Sequence, residues 1–209
     1  MWNERAMTIT AIKRKKGDLY TVETDEGSAD VDIRTLEQAA DVAQGFSVTP
    51  ERLAELAYQS ECRRARSKSL KLVAVREMCC AGLRRKLGDA GFSREACEYV
   101  IAEMETLGFV SDSRYAEMYA EELYRVKKYA PRRVSHELIN KGISRELAEE
   151  TAHRLAPDTA ETLSLLLEGR LGDELDTDSG RRRCAMTLNR YGYDPADIHA
   201  AIRRREGQE

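Results

Sequence analysis

A short phrase recurs in this chain, and its spacing constrains the fold more than any other feature. Leucine, a glycine four positions on, a bulky apolar residue and then Ser or Asp appear as Leu87, Gly91, Phe92 and Ser93, again as Leu138, Gly142, Ile143 and Ser144, and a third time as Leu188, Gly192, Tyr193 and Asp194. The leucines lie 51 and 50 residues apart. In each copy the leucine ends a helical apolar stripe, the glycine supplies the left-handed residue that stops the helix, and the Ser or Asp caps the next one. A chain that repeats such a corner at a fixed period is built of stacked helical units, each burying its stripe against a neighbour.

The flanking residues extend the pattern. In the first copy Leu83 and Leu87 precede the corner, and Ala96, Val100, Ile101, Met104 and Leu107 follow a 3.6-residue period after it. Gly108 then ends the helix, Phe109 and Val110 cover the turn, and Ser111 or Asp112 opens a third helix with Ala116, Tyr119, Ala120 and Leu123 inward. The second copy offers Val134 and Leu138, then Leu147, Ala148, Thr151, Ala152 and Leu155, with Pro157 closing the helix and residues 158–170 supplying the third. The third copy has Cys184 and Leu188, then Pro195, Ile198, Ala201 and Ile202, and is shortened.

Before the repeats the period changes. Tyr20, Val22 and Thr24, and then Ala29, Val31 and Ile33, alternate with polar residues between the turn signals at 15–17 and 25–27. A two- or three-stranded antiparallel meander over residues 8–35 follows, one that needs a helix over its apolar face. Thr49 caps a helix with Pro50 at its first position, and a second helix is expected over 67–80 with Leu70, Val73 and Ala74 on one side. The predicted fold is mainly α: tandem three-helix repeats forming an elongated, curved solenoid, preceded by a small N-terminal antiparallel β-ribbon. The expected organisation is 1–48 for the ribbon and linker, 49–129 for a leading helix and the first repeat, 130–172 for the second and 173–209 for the third.

Composition limits the chemistry. At 42% hydrophobic and 34% charged, the chain is too apolar for disorder and too charged for a membrane protein. No apolar run reaches membrane-spanning length and the N-terminus lacks a secretory pattern, so the expected location is the cytoplasm. The five cysteines form no CxxC pair, and Cys79 and Cys80 read as small buried apolar residues. His136, His153 and His199 are far apart in sequence. No nucleotide-phosphate loop and no nucleophile elbow is present, so no enzyme, cofactor or metal is expected.

What remains is charge segregation. Nine Lys or Arg face one acid between Cys62 and Lys86, and five face none between Arg125 and Arg133; eight acids face two arginines from Ser93 to Glu122. Three clusters follow the repeats: Arg84, Arg85 and Lys86 opposite the Leu83 and Leu87 stripe; Lys127, Lys128, Arg132 and Arg133 around Pro131; and Arg181, Arg182 and Arg183 before Cys184. Such a track meets a polymer, either nucleic acid or an acidic protein groove. The plainer readings are a solvated face on a scaffold, or a free-standing nucleic-acid-binding protein using the same clusters.

Particular residues carry a family resemblance over about 50–205. Lys86-Leu87, Gly91-Phe92, the periodic helix 95–107, Gly108-Phe109-Val110 with Asp112, and Arg114-Tyr115-Ala116 are followed by Glu137-Leu138 and Lys141-Gly142-Ile143. This series resembles the RecX family, bacterial regulators of the RecA recombinase, and the ribbon is similar to the extension of longer members. In the third copy the corner is the basic-aromatic Arg190, Tyr191, Gly192 and Tyr193. The resemblance implies tandem three-helix repeats without a catalytic centre, lying along the RecA filament on single-stranded DNA mainly to curb strand exchange and ATP hydrolysis, or to shorten the filament, with some members also binding DNA directly; repeats that bury their stripes against one another are expected to form a monomer. Among the three readings it favours this one.

Overall fold

The computed structural model describes residues 6–169, 171, 173, 175–205 and 207. They form two compact units, one of residues 1–77 with 83–110 and the other of 78–82 with 111–209.

The first unit opens with the antiparallel strands β1 (Met7–Lys16), β2 (Leu19–Thr24) and β3 (Ser28–Asp32), and β4 (Ser47–Val48) joins the other edge of β1, giving the order β3-β2-β1-β4. Two residues hold no alternation to read, which is why β4 escapes sequence analysis. Ile33, expected to extend a strand, instead starts the short helix α1 (Ile33–Gln38). The cause is Asp32, whose carboxylate accepts from the amides of Arg34 and Thr35 and from the Thr35 hydroxyl.

Helix α2 (Pro50–Val73) is capped by Thr49, which accepts from the Arg52 amide at 3.2 Å. The separate helix expected over 67–80 does not exist. Nothing between Ala65 and Ser69 breaks α2, the Ser69 hydroxyl donates back to the Ala65 carbonyl at 2.9 Å, and the chain turns only after Val73. The first half of α2 covers the sheet as the marginal meander requires: Leu53 and Leu56 join Met7, Ile9, Val22, Val31 and Val48 in one core, and the buried Ser60 hydroxyl accepts the Asp32 amide at 2.7 Å. The second half packs on α4 (Arg94–Thr106), where the Glu61 carboxylate accepts from the amide and hydroxyl of Ser93 at 2.6 and 2.8 Å. Between them in the chain lies α3 (Cys80–Asp89), with Leu83 and Leu87 fully buried.

The second unit continues with α5 (Asp112–Glu122), which widens into a π-turn at Leu123–Lys127, then α6 (Pro131–Lys141), α7 (Arg145–Arg154), α8 (Thr159–Glu168), α9 (Asp178–Arg190) and α10 (Pro195–Arg205). One core gathers Ala116 and Ala120 of α5, Val134 and Leu138 of α6, and Ala148 and Ala152 of α7. Another gathers Leu163 and Leu167 of α8, Cys184 and Leu188 of α9, and Ile198 and Ile202 of α10. The helix expected over 158–170 is therefore α8, but it belongs with the helices that follow it and not with α6 and α7; Arg170 and Gly172 lie outside the described residues.

The repeated corner is present three times. Gly91, Gly142 and Gly192 have φ of 86°, 95° and 96°, and the next residue's amide reaches back to the carbonyl of Leu87, Leu138 or Leu188 at 3.3, 3.2 and 3.2 Å. Ile143 and Tyr193 are buried as expected, but Leu107 and Phe109 are 59% and 47% exposed. The fourth such turn, at Gly108 with φ 74°, is closed by Val110, which leaves those two side chains outside.

Candidate basic interface

The expected basic residues divide by surroundings. Arg84 and Glu98 form a two-pronged pair across α3 and α4, at 2.7 and 2.9 Å, and Arg84 holds the Glu98 carboxyl below the ordinary carboxylate range. Arg85 and Lys86 beside it are exposed. All three belong to the first unit.

In the second unit the chain between α5 and α6 has a specific shape. Lys128 is the only non-glycine residue with positive φ among the described residues, at 54°, and ends the π-turn. Its carbonyl accepts the Tyr193 hydroxyl at 2.9 Å, and the Ala130 amide donates to the Tyr191 carbonyl at 2.9 Å. Tyr129 and Tyr191 meet edge to face, with ring centroids 5.4 Å apart. The junction is thus fastened to the third corner. Burial pushes the Tyr193 phenol up to about 12, so it stays a donor at neutral pH.

This fastening creates a shallow open groove. It is lined by Arg132, Arg133 and His136 of α6 and by Asn189, Arg190 and Gly192 of the third corner, with no carboxylate in its lining. Gly192 permits the approach, since a Cβ there would stand 2.9 Å from the Arg133 amide nitrogen. Arg133 is half-buried, pairs with Glu137 at 2.6 Å and lies over the Tyr129 ring at 5.6 Å. Arg132 and Arg190 are exposed. His136 turns its Nδ1 toward the Asn140 amide at 3.1 Å.

The remaining expected residues stand elsewhere. Lys127 is exposed on the π-turn. Arg181 is held by Asp178 at 2.9 Å and by the Leu175 carbonyl at 2.8 Å, and Arg182 and Arg183 are exposed beside it. Seven residues of helix separate Arg183 from Arg190, about 10 Å, and the triplet does not line the groove. Arg190 was not among the expected site residues; its signal is its place two residues before the corner glycine.

The arrangement offers charge and hydrogen-bond donors, the equipment of a binding surface. Among the described residues no group of three or more His, Cys, Asp or Glu could hold a metal ion, and no helix is long and apolar enough to cross a membrane. All five cysteines are buried, and burial raises the Cys62 and Cys97 thiols above their ordinary value.

Comparison with known proteins gives a consistent family. Residues 111–151 match the family profile described as RecX, second three-helix domain, which is the span from α5 into α7. The chain is similar to the regulatory protein RecX of Neisseria meningitidis, 32% identical over 141 residues covering 66% of this chain and 88% of that protein. It is also similar to that of Trichlorobacter lovleyi, 31% identical over 127 residues covering 61% of this chain and 71% of that protein. In fold it resembles the crystal structure of a regulatory protein RecX, with a TM-score of 0.68 at 17% identity over 93% of this chain and 98% of that one. The RecX of Lactobacillus salivarius gives a TM-score of 0.64 at 17% identity over 71% and 98%.

Proposed function

The chain belongs to the RecX family of regulatory proteins, and from that premise we propose that it modulates the RecA recombinase by binding along the RecA filament on single-stranded DNA. In this reading it acts as a cytoplasmic monomer without a cofactor, mainly curbing strand exchange and ATP hydrolysis. Its tandem repeats stack into the elongated, curved body that the fixed period calls for.

The observation that carries the reading is the groove of Arg132, Arg133 and Arg190, which gathers guanidinium groups without a carboxylate in the lining. Guanidinium forks suit phosphates and acidic side chains alike, so the groove fits a partner made of protein and nucleic acid together. Lys127 adds an exposed charge on the π-turn. Arg85, Lys86, Arg182 and Arg183 are exposed and belong to the same proposal, whereas Lys128, Arg133, Arg84 and Arg181 also serve the fold through the bonds described above.

That distinction shapes the test. Lys127→Glu, Arg132→Glu and Arg190→Glu together reverse charge at exposed positions and leave the Arg133 to Glu137 pair intact. Inhibition of DNA-dependent ATP hydrolysis by RecA is measured at one fixed salt concentration, with circular dichroism to confirm equal helicity. The expected result is a steep loss of inhibition. Undiminished inhibition by the folded variant removes the groove from the mechanism, and equal binding of wild type to bare single-stranded DNA and to the filament favours the free-standing nucleic-acid reading.

A further inference from the structure

A second cationic cleft lies in the first unit, lined by none of the site residues expected from the sequence. Its walls are Asp18 in the turn between β1 and β2, Asp32, Ile33 and Arg34 at the start of α1, and Arg63, Arg64 and Ser67 on α2. The three arginines are not equivalent. Arg63 is anchored: its Nη2 donates to the Gln38 amide oxygen at 2.9 Å, and its Nε stands 3.7 Å from the Asp32 carboxylate. Arg64 is half-buried, lies over the Phe92 ring at 5.8 Å, and its buried Nε has no acceptor. Neither Arg34 nor Arg64 has a hydrogen-bonded or ion-paired partner for its guanidinium among the described residues.

The acids nearby are already committed. Asp32 spends its carboxylate on the Arg34 and Thr35 amides and the Thr35 hydroxyl. Asp30, whose carboxyl is lowered first by the Lys15 ammonium at 2.6 Å and also feels Arg64, bonds to Thr21 as well. Asp18 alone keeps a carboxylate free, so three arginines against two aspartates leave the lining with one positive charge. Guanidinium donors left without acceptors, beside a hydroxyl and an aromatic support that fixes one of them, make a cradle for a tetrahedral oxyanion.

We infer that the cleft of Arg34, Arg64 and Ser67, anchored by Arg63, is a phosphate-binding site separate from the groove at the third corner. A single net positive charge matches a phosphodiester, which carries one negative charge, and so points to a nucleic-acid backbone as the source; a free phosphate is the other source of the same chemistry.

The test uses the full chain with nitrogen-15 label. Amide shifts of Arg34, Arg64 and Ser67 are followed during titration with a short oligothymidylate and, separately, with inorganic phosphate. Oligothymidylate moving these amides at concentrations where phosphate does not identifies the backbone as source; phosphate moving them equally well identifies the free ion; both support the site. Amides that stay fixed under both probes overturn it. In parallel, Arg34→Gln with Arg64→Gln should lower the steepness of the logarithmic salt dependence of oligothymidylate binding by about 1.4, at about 0.7 for each phosphate contact on a single strand. Where oligothymidylate is the source, an unchanged salt dependence in that variant, with unchanged circular dichroism, likewise overturns the inference. Because the amide readout needs no variant, a folding defect cannot hide the answer.

Discussion

Replacing Gly142 by alanine separates two costs that glycine usually hides together. The backbone at Gly142 sits at φ 95°, where any side chain is strained, a penalty of roughly 1–2 kcal/mol. At this corner the added Cβ would also stand 2.3 Å from the Cβ of Ala81, and Ala81 is held in place by its neighbours: the Cys80 amide donates to Asp112 at 2.7 Å and the Cys79 thiol to the Lys141 carbonyl at 3.3 Å. Overpacking of that kind costs typically about 1–3 kcal/mol, so Gly142→Ala should destabilise by roughly 2–5 kcal/mol in all. Gly91 supplies the control. Its φ is 86° but nothing lies within 4 Å of an added Cβ, so Gly91→Ala should show the backbone penalty alone, roughly 1–2 kcal/mol. Urea denaturation followed by circular dichroism gives both values, and Ala81→Gly in the Gly142→Ala background should recover the overlap through a coupling energy of about 1–3 kcal/mol. Equal losses at Gly91 and Gly142, or no coupling with Ala81, would refute the reasoning.

Three further outcomes are expected. The Tyr193 phenol titrates at about 12 and the Tyr124 phenol is also raised by burial; a raised phenol contributes stability in full below its unfolded value near 10 and loses it as pH rises toward 12, so alkaline melts should fall in that window and less steeply in Tyr193→Phe. Glu98→Gln should change stability by less than about 1 kcal/mol, because the pair with Arg84 is exposed, yet tighten binding to a polyanion by removing a negative charge from that surface, as titration with heparin would reveal. Small-angle scattering should return a radius of gyration above roughly 17 Å, the compact-chain value for this length; a compact value counts against the stacked-repeat proposal.

The corners were legible because their physics is local. A left-handed glycine, the bulky residue behind it and the capping side chain act within seven positions, and Gly91, Gly142 and Gly192 stand in the backbone conformation their spacing implies. The framing of helices around them was not. The first helix of each three-helix core, α5 or α8, carries no signature that repeats, so sequence alone joins it to the helices before it, while Ala116 and Leu163 pack with those after. Likewise no rule of pattern says that Ser67 continues α2, since serine is tolerated on an exposed helical turn and only the absence of a breaker decides. The basic clusters were readable as charge. Their division into held and exposed groups was not, because Glu98 reaches Arg84 from another helix and Arg190 meets Arg132 only when the third corner folds onto the junction.

The Ala130 amide and Lys128 carbonyl, both satisfied by the Tyr191 and Tyr193 corner, have a consequence for how the second unit comes apart. Repeats joined only through apolar faces can fray from the end, each opening with its own free energy. Here removal of α9 and α10 would break the bonds made by the Ala130 amide and the Lys128 carbonyl at the turn between α5 and α6, each worth about 0.5–1.5 kcal/mol net. Loss of the terminal helices is therefore felt upstream, at the very turn that aims Lys127 and Arg132. In hydrogen exchange the Ala130 amide should open together with α9 and α10, and a chain cut after α8 would lose the groove's second wall and the geometry of its first at one stroke.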